Sequence, residues 1–224
     1  MERLRLKFSR GEELKFISHL DMSRLWQRAF QRAEIPLAYS QGFNPHPRIA
    51  FAAPLPVGAT SQAELMDIEC YRSIPVPYFM TLMKKELPKG IELLSAYQVA
   101  LLLPSLQSQV SFAEYQVAMD SEKSREEVEQ NIAYLLSLKE LPWHHERDTG
   151  TRHYDLRALV SKLWLIDCQE GLVTLGMRLR CDETGSGRPE QVALALGFTG
   201  SPRLIHRTEL ILKKLELHKN LKRY

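Results

Sequence analysis

Arg24, Arg28 and Arg32 recur at i, i+4 and i+8, a spacing that stacks three guanidinium groups on one face of a helix. Like charges so placed repel by about 0.2–0.5 kcal/mol per pair, which calls for local carboxylates or an anionic ligand. Guanidinium forks match phosphate oxygens, so the ladder suits a phosphate-facing stripe as well as a solvated helix face. A few residues later come Tyr39, Ser40, Gln41, Gly42, Phe43, Asn44, Pro45, His46, Pro47 and Arg48. This run combines two aromatic rings, several hydrogen-bond donors and an imidazole. Its prolines confine themselves and the residues before them, Asn44 and His46, to extended shapes. A stiff segment loses little entropy on presenting side chains to a ligand. It reads either as a binding loop or as a rigid crossover between helix and strand.

His19 and His46 are the candidates for an acid–base pair, since imidazole titrates near neutrality. His19 stands at a helix start, where the dipole disfavours its protonated form. His144 and His145 are neighbours on a strand-like run and point to opposite faces, which argues against a shared metal. Asp155-Leu156-Arg157 and Ser186-Gly187-Arg188-Pro189 are compact polar signals. Gly185 and Gly187 precede a helix start that could receive an anion, yet they lack the lysine and spacing of a P-loop. Cys70, Cys168 and Cys181 are too scattered for an iron–sulfur cluster or a zinc site, so they read as small buried hydrophobes. Neither a metal nor a cofactor is expected.

The elements that must position these groups follow from periodicity. Leu4, Leu6 and Phe8 alternate with Arg3, Arg5 and Lys7, a half-buried strand. Ser18-His19-Leu20-Asp21 is a capping-box pattern. It opens a helix whose stripe is Met22, Leu25, Trp26, Ala29, Phe30 and Ala33, and Pro36 prevents continuation. Strands are predicted over 48–53 and 64–71, a second helix from Pro75 and Pro77 to Pro88, and a strand over 91–100. The order β-α-β-β-α-β is the ferredoxin-like one.

Residues 101–109 read as a linker between a domain over 1–100 and a second α+β domain over 110–224. The second half repeats the logic less clearly. It has a strand over 112–119, a capping box at Ser124-Arg125-Glu126-Glu127 and a strand over 143–148. A hairpin around Glu170-Gly171, a helix from Pro189 and a strand over 203–212 follow. The expected fold is therefore α+β, two ferredoxin-like halves with antiparallel sheets, the second less regular and carrying an insertion over 149–160. The tail from Lys213 is basic and reads as a solvated end.

The chain has 224 residues and a formal net charge of +3, which admits an anionic partner without demanding one. No apolar run approaches the roughly 20 residues that span a bilayer, and the N-terminus alternates like a strand, unlike a signal peptide. A cytoplasmic location without membrane attachment is expected. Base stacking in the manner of an RRM needs aromatics on central strands. Here Arg3, Arg5 and Lys7 face Leu65, Asp67, Glu69 and Tyr71, so charge pairing across neighbouring strands is expected instead.

The run LKFISHLDMSRLWQRAFQRAEIPLAYSQGFNPHPRIAFAAPLPVG resembles the signature of the radical-SAM-linked proteins, also called domain of unknown function 2344. The later YDLRALV, GSGRPEQVALALG and IHRTEL resemble its C-terminal blocks. The resemblance implies partnership with a radical SAM enzyme, because members occur fused behind a radical SAM domain or as a short protein encoded near one, often beside a ribonuclease E/G gene. This chain matches the separate form and holds no cluster-binding cysteine motif. It supplies no catalytic residues.

Three functional expectations follow. The first is an accessory protein, not an enzyme by itself, that presents RNA or another macromolecule to a radical SAM enzyme through Arg24, Arg28, Arg32 and the 39–48 segment. The second is an RNA-processing endonuclease using His19 and His46. The third is a module that docks the radical SAM partner alone.

Overall fold

The computed structural model describes residues 1–147 and 150–213, without the side chains of residues 146 and 147. The tail beyond Lys213 and the link at 148–149 lie outside the described residues.

The N-terminal half runs β1 (Glu2–Arg10), α1 (His19–Arg32), β2 (Ile49–Phe51), β3 (Thr60–Cys70), α2 (Val76–Glu86) and β4 (Ile91–Val99). After a short helix α3 (Leu106–Gln109), the C-terminal half continues with β5 (Val110–Asp120) and α4 (Arg125–Ser137). A hairpin of β6 (Pro142–Arg147) and β7 (Gly150–Asp155) comes next. It is followed by β8 (Val160–Gln169), β9 (Leu172–Asp182), β10 (Gly185–Ser186), α5 (Pro189–Ala195) and β11 (Leu204–Leu212).

Local chemistry explains where α1 begins and ends. The Ser18 hydroxyl accepts from the Asp21 amide at 3.1 Å and donates to the Asp21 carboxylate at 2.7 Å. Asp21 thus returns its bond to the hydroxyl and not to the backbone. The stripe behaves as its spacing requires: Met22, Trp26, Ala29 and Phe30 are buried, with Trp26 edge-on to Phe8 of β1. The helix stops at Arg32, and Glu34 turns into the left-handed region at φ 52° before Pro36. Ser124 and Glu127 form the complete capping box of α4.

Nine strands join one sheet. Its main path is β8–β9–β5–β11–β3–β1–β4, with β2 beside β3 and β10 beside β9. Counted within each half, the order is the same: β4–β1–β3–β2 in the first and β11–β5–β9–β8 in the second. The sheet is antiparallel except at the junction, where His206 and Arg207 of β11 lie parallel to Thr60 and Ser61 of β3. The fold is α+β as expected, but the two halves share a continuous sheet in place of two separate ones. Hydrophobic side chains nonetheless gather in two clusters. One lies under α1 and α2, around Leu4, Leu6, Trp26, Phe30, Met66, Ile68 and Phe79. The other lies under α4 and α5, around Tyr115, Val117, Val128, Leu175, Met177 and Val192.

The segment read as a linker packs closely. Leu106 is fully buried. The carbonyls of Leu103 and Pro104 accept from Arg3 at 3.0 and 3.1 Å, and Gln109 accepts from Arg5 at 3.2 Å. Arg3 and Arg5 both reach Asp67, at 2.8 and 2.7 Å, so the cross-strand pairing expected from alternation is present. Around Arg3, Arg5 and Asp67 that face of β1 and β3 is covered by residues 103–109, whereas Lys7 and Tyr71 stay exposed.

Candidate nucleic-acid interface

The arginine ladder lies along α1 as its spacing requires, and local carboxylates relieve part of its repulsion. Arg24 pairs with Asp21 at 3.4 Å. Arg32 reaches Glu86 of α2 at 2.7 Å and also donates to the Glu86 carbonyl at 2.6 Å. Both arginines are largely exposed, where such pairs contribute little. Arg28 is exposed, and among the described residues it has no ion-pair partner. All three arginines, with Leu14, Leu25 and Pro88, line a groove of about 410 Å³. A second groove of about 400 Å³ continues from Arg32 past Arg72, Tyr78 and Lys85. The cationic side chains run along α1, to Arg72 before α2 and Lys85 in its last turn, with the carboxylates Asp21, Glu34 and Glu86 among them.

The 39–48 segment is a closed loop at the far end of β3. Leu37 bridges to Cys70 and Tyr39 to Pro47. The Ser40 amide donates to the His46 carbonyl at 2.8 Å, and the His46 amide donates to the Ser40 hydroxyl at 2.9 Å. Gly42 sits at φ 124°, a conformation that side chains resist. The residues at the tip, Gln41, Phe43 and Asn44, are exposed. Phe43 has 109% relative exposure and Tyr39 is half exposed, so one ring has no packing role at all. Arg48 is held at 2.9 Å by Glu69.

The His19 ring stands edge-on to Phe51 at 5.1 Å, whereas His46 belongs to the loop closed by Ser40. No hydrogen bond among the described residues connects them. His144 faces His153 across the β6–β7 hairpin and His145 faces Arg152, so the two neighbours do point apart. No cluster of three metal-ligating side chains occurs among the described residues.

Several polar signals turn out to hold the fold together. Asp155 accepts from the amides of Leu141 and Arg157 at 2.8 and 2.9 Å. Arg157 donates to the carbonyls of Val160 and Leu136. The three cysteines are free thiols. Burial pushes Cys70 up to about 11, with Glu2 adding to the shift. Burial also raises Cys181. Neither is set up as a thiolate nucleophile.

One cluster escaped sequence reasoning. Arg207 of β11 is 1% exposed and donates to Glu64 of β3 at 3.0 Å, to the Tyr115 hydroxyl of β5 at 3.1 Å and to the Pro54 carbonyl at 2.9 Å. Burial opposes its charge, but Glu64 and Tyr115 outweigh that, so its pKa is raised. Tyr115 is itself raised by burial. Arg10, also buried, donates to the carbonyls of Leu14, Lys15 and Ile17, fastening the loop that leads into α1. The signal was present in the sequence, since Arg207 lies in IHRTEL and Pro54 in FAAPLPVG, but nothing indicated that the two blocks meet.

The molecule is thus an α+β protein built on one large, mostly antiparallel sheet, with a cationic helix face and an aromatic loop in its N-terminal half. The chain belongs to the family described as uncharacterized protein conserved in bacteria (DUF2344), whose model matches residues 3–189. No curated protein matches it. Among solved structures it is similar to a chain of a Cbf5-Nop10-Gar1 complex, at a TM-score of 0.50 and 8% identity, covering 93% of this chain and 48% of that one. A chain of the archaeal box H/ACA sRNP Nop10-Cbf5 complex aligns at a TM-score of 0.47 and 10% identity, covering 96% and 50%. The chain therefore spans about half the length of these chains, and the likeness to the first is one of fold alone.

Proposed function

We propose that the protein is a binding subunit that holds RNA along the α1 face and presents it to a partner enzyme of the radical SAM class. The observation that supports this most is the convergence of Arg24, Arg28 and Arg32 on one groove, with Arg28 lacking an ion-pair partner among the described residues. The groove that continues from Arg32 adds Arg72 and Lys85. Such a track suits the phosphates of a single strand, and the exposed rings of Phe43 and Tyr39 suit base stacking. The partner class rests on the family resemblance of the sequence blocks.

Filter binding of a single-stranded oligoribonucleotide at several salt concentrations tests the RNA part. The triple change R24Q/R28Q/R32Q should lower affinity and flatten the salt dependence by about 2 in log–log slope, at roughly 0.7 per phosphate contact. An unchanged slope would remove the reading. Co-purification with the neighbouring radical SAM enzyme, with and without ribonuclease treatment, separates RNA presentation from direct protein docking. The endonuclease alternative requires His19 and His46 to reach the same reacting atoms, and loss of cleavage in H19A and H46A would be its signature.

A further inference from the structure

The β6–β7 hairpin lays one face on the segment joining β9 to α5. His145 and Arg152 are cross-strand partners on that face, and Trp143 and Tyr154 are the next pair along. Opposite them stand Thr184, Ser186 and Arg188, and with His145, Arg152 and Tyr154 they line an open-mouthed cavity of about 70 Å³ floored by Leu159. It unites two sequence blocks that are distant in the chain, YDLRALV and GSGRPEQ.

The polar groups inside are mostly donors. Arg188 donates to His145 Nε2 at 2.9 Å, which leaves the rest of its fork unused. Neither Arg188 nor Arg152 forms an ion pair with a carboxylate among the described residues. The Tyr154 hydroxyl donates to the Gln191 side-chain carbonyl. Two carboxylates lie close by but outside the lining: Asp182, held by Thr184, and Glu190, whose Oε2 is buried without a partner. The Thr184 hydroxyl donates to Asp182 at 2.6 Å and accepts from Arg180 at 3.0 Å, so the two guanidinium groups supply the free donors and the positive charge around this small space. The volume is well under the about 300–1,000 Å³ of pockets that take whole organic ligands, yet it has room for several waters.

We propose that this pocket binds a phosphoryl group. Arg152 and Arg188 would take its oxygens in forked hydrogen bonds, with the Ser186 hydroxyl beside them, while the Thr184 hydroxyl stays committed to Asp182. The same chemistry is offered by free phosphate and by the terminal phosphate of an RNA strand. The site is independent of the α1 groove, so each can fail without the other.

Isothermal titration of the whole chain with inorganic phosphate provides the test. Saturable binding is expected, weakened at least tenfold by R152Q or R188Q and unchanged by H144Q or H153Q on the outer face of the hairpin. Melting without phosphate checks folding, and R152Q, on the exposed hairpin, serves if R188Q does not fold. A 5′-phosphorylated oligoribonucleotide that displaces phosphate where its 5′-hydroxyl counterpart does not would assign the site to RNA ends. Equal behaviour of the two would assign it to free phosphate. Absence of saturation in the millimolar range, or undiminished binding by both arginine variants, would overturn the proposal.

Discussion

Arg207 in β11 and Glu64 in β3 meet at 3.0 Å across 143 positions of sequence, with side chains 1% and 6% exposed. They stand where the halves join, and only two pairs of residues, at 206–207 and 60–61, connect those strands through the backbone. The ion pair, with the bonds from Arg207 to the 53–54 carbonyls, therefore fastens the halves at the point where the ladder is shortest.

Removing one partner leaves a charge buried alone. R207M should destabilise the protein by about 3–5 kcal/mol in urea unfolding. The double change E64L/R207M should be less destabilised than R207M, since it removes the orphaned carboxylate as well. A loss below about 1 kcal/mol, the range of ordinary surface changes, would mean that the junction does not depend on this pair.

His206, the residue before Arg207, shares its Nδ1 with the Thr60 hydroxyl at 2.7 Å. Burial lowers its pKa, and Glu12 offsets that only in part. A base with a depressed folded pKa binds protons more readily when unfolded, so stability falls as pH drops below the unfolded value of about 6.5. The urea midpoint should decline between about pH 7 and pH 5. H206Q should show a smaller decline over the same interval, and an identical decline in both proteins would reject the assignment.

Trp164 of β8 lies flat over Gly176 of β9, so a Cβ at 176 would stand 1.9 Å from the indole Cε2. Lys162 covers the ring at 5.1 Å. G176A should cost about 1–3 kcal/mol by overpacking. In a W164A background the same change should cost much less. A thermal-denaturation cycle measures the coupling, and additive effects would show that the ring moves aside freely.

The tip of the 39–48 loop separates stability from binding. F43A removes a ring that touches little, so the melting temperature should hold. Under the RNA reading, affinity for a single-stranded oligoribonucleotide should fall by about 1–3 kcal/mol, the value of one stacked base. Unchanged affinity would leave the ring without a nucleic-acid role and favour a protein partner for the loop.

Elements governed by local chemistry were legible without the structure. Ser18 caps α1, Pro36 lies just past its end, the Met22–Phe30 stripe packs on β1, and Ser124 with Glu127 caps α4. The stacking of Arg24, Arg28 and Arg32 was equally legible, because helical periodicity alone places them. Asp21, three positions before Arg24, was legible as its partner, but Arg32's was not, since Glu86 reaches it only once α2 lies beside α1.

The sequence by itself determined most of the elements, their caps and the cationic face of α1, which depend on residues within a few positions of one another. The helix α3, inside the stretch read as a linker, and β7, inside the one read as an insertion, were not among them. Tertiary structure decided what depends on distant residues. It merged the two halves into one sheet through a short parallel contact. It folded residues 103–109 over Arg3 and Arg5, which alternation alone had left facing solvent. It buried Arg207 against Glu64, and it closed the β6–β7 hairpin over Arg188. A buried charge or a pocket exists only when chain segments far apart desolvate and satisfy each other, and periodicity carries no record of which segments those are.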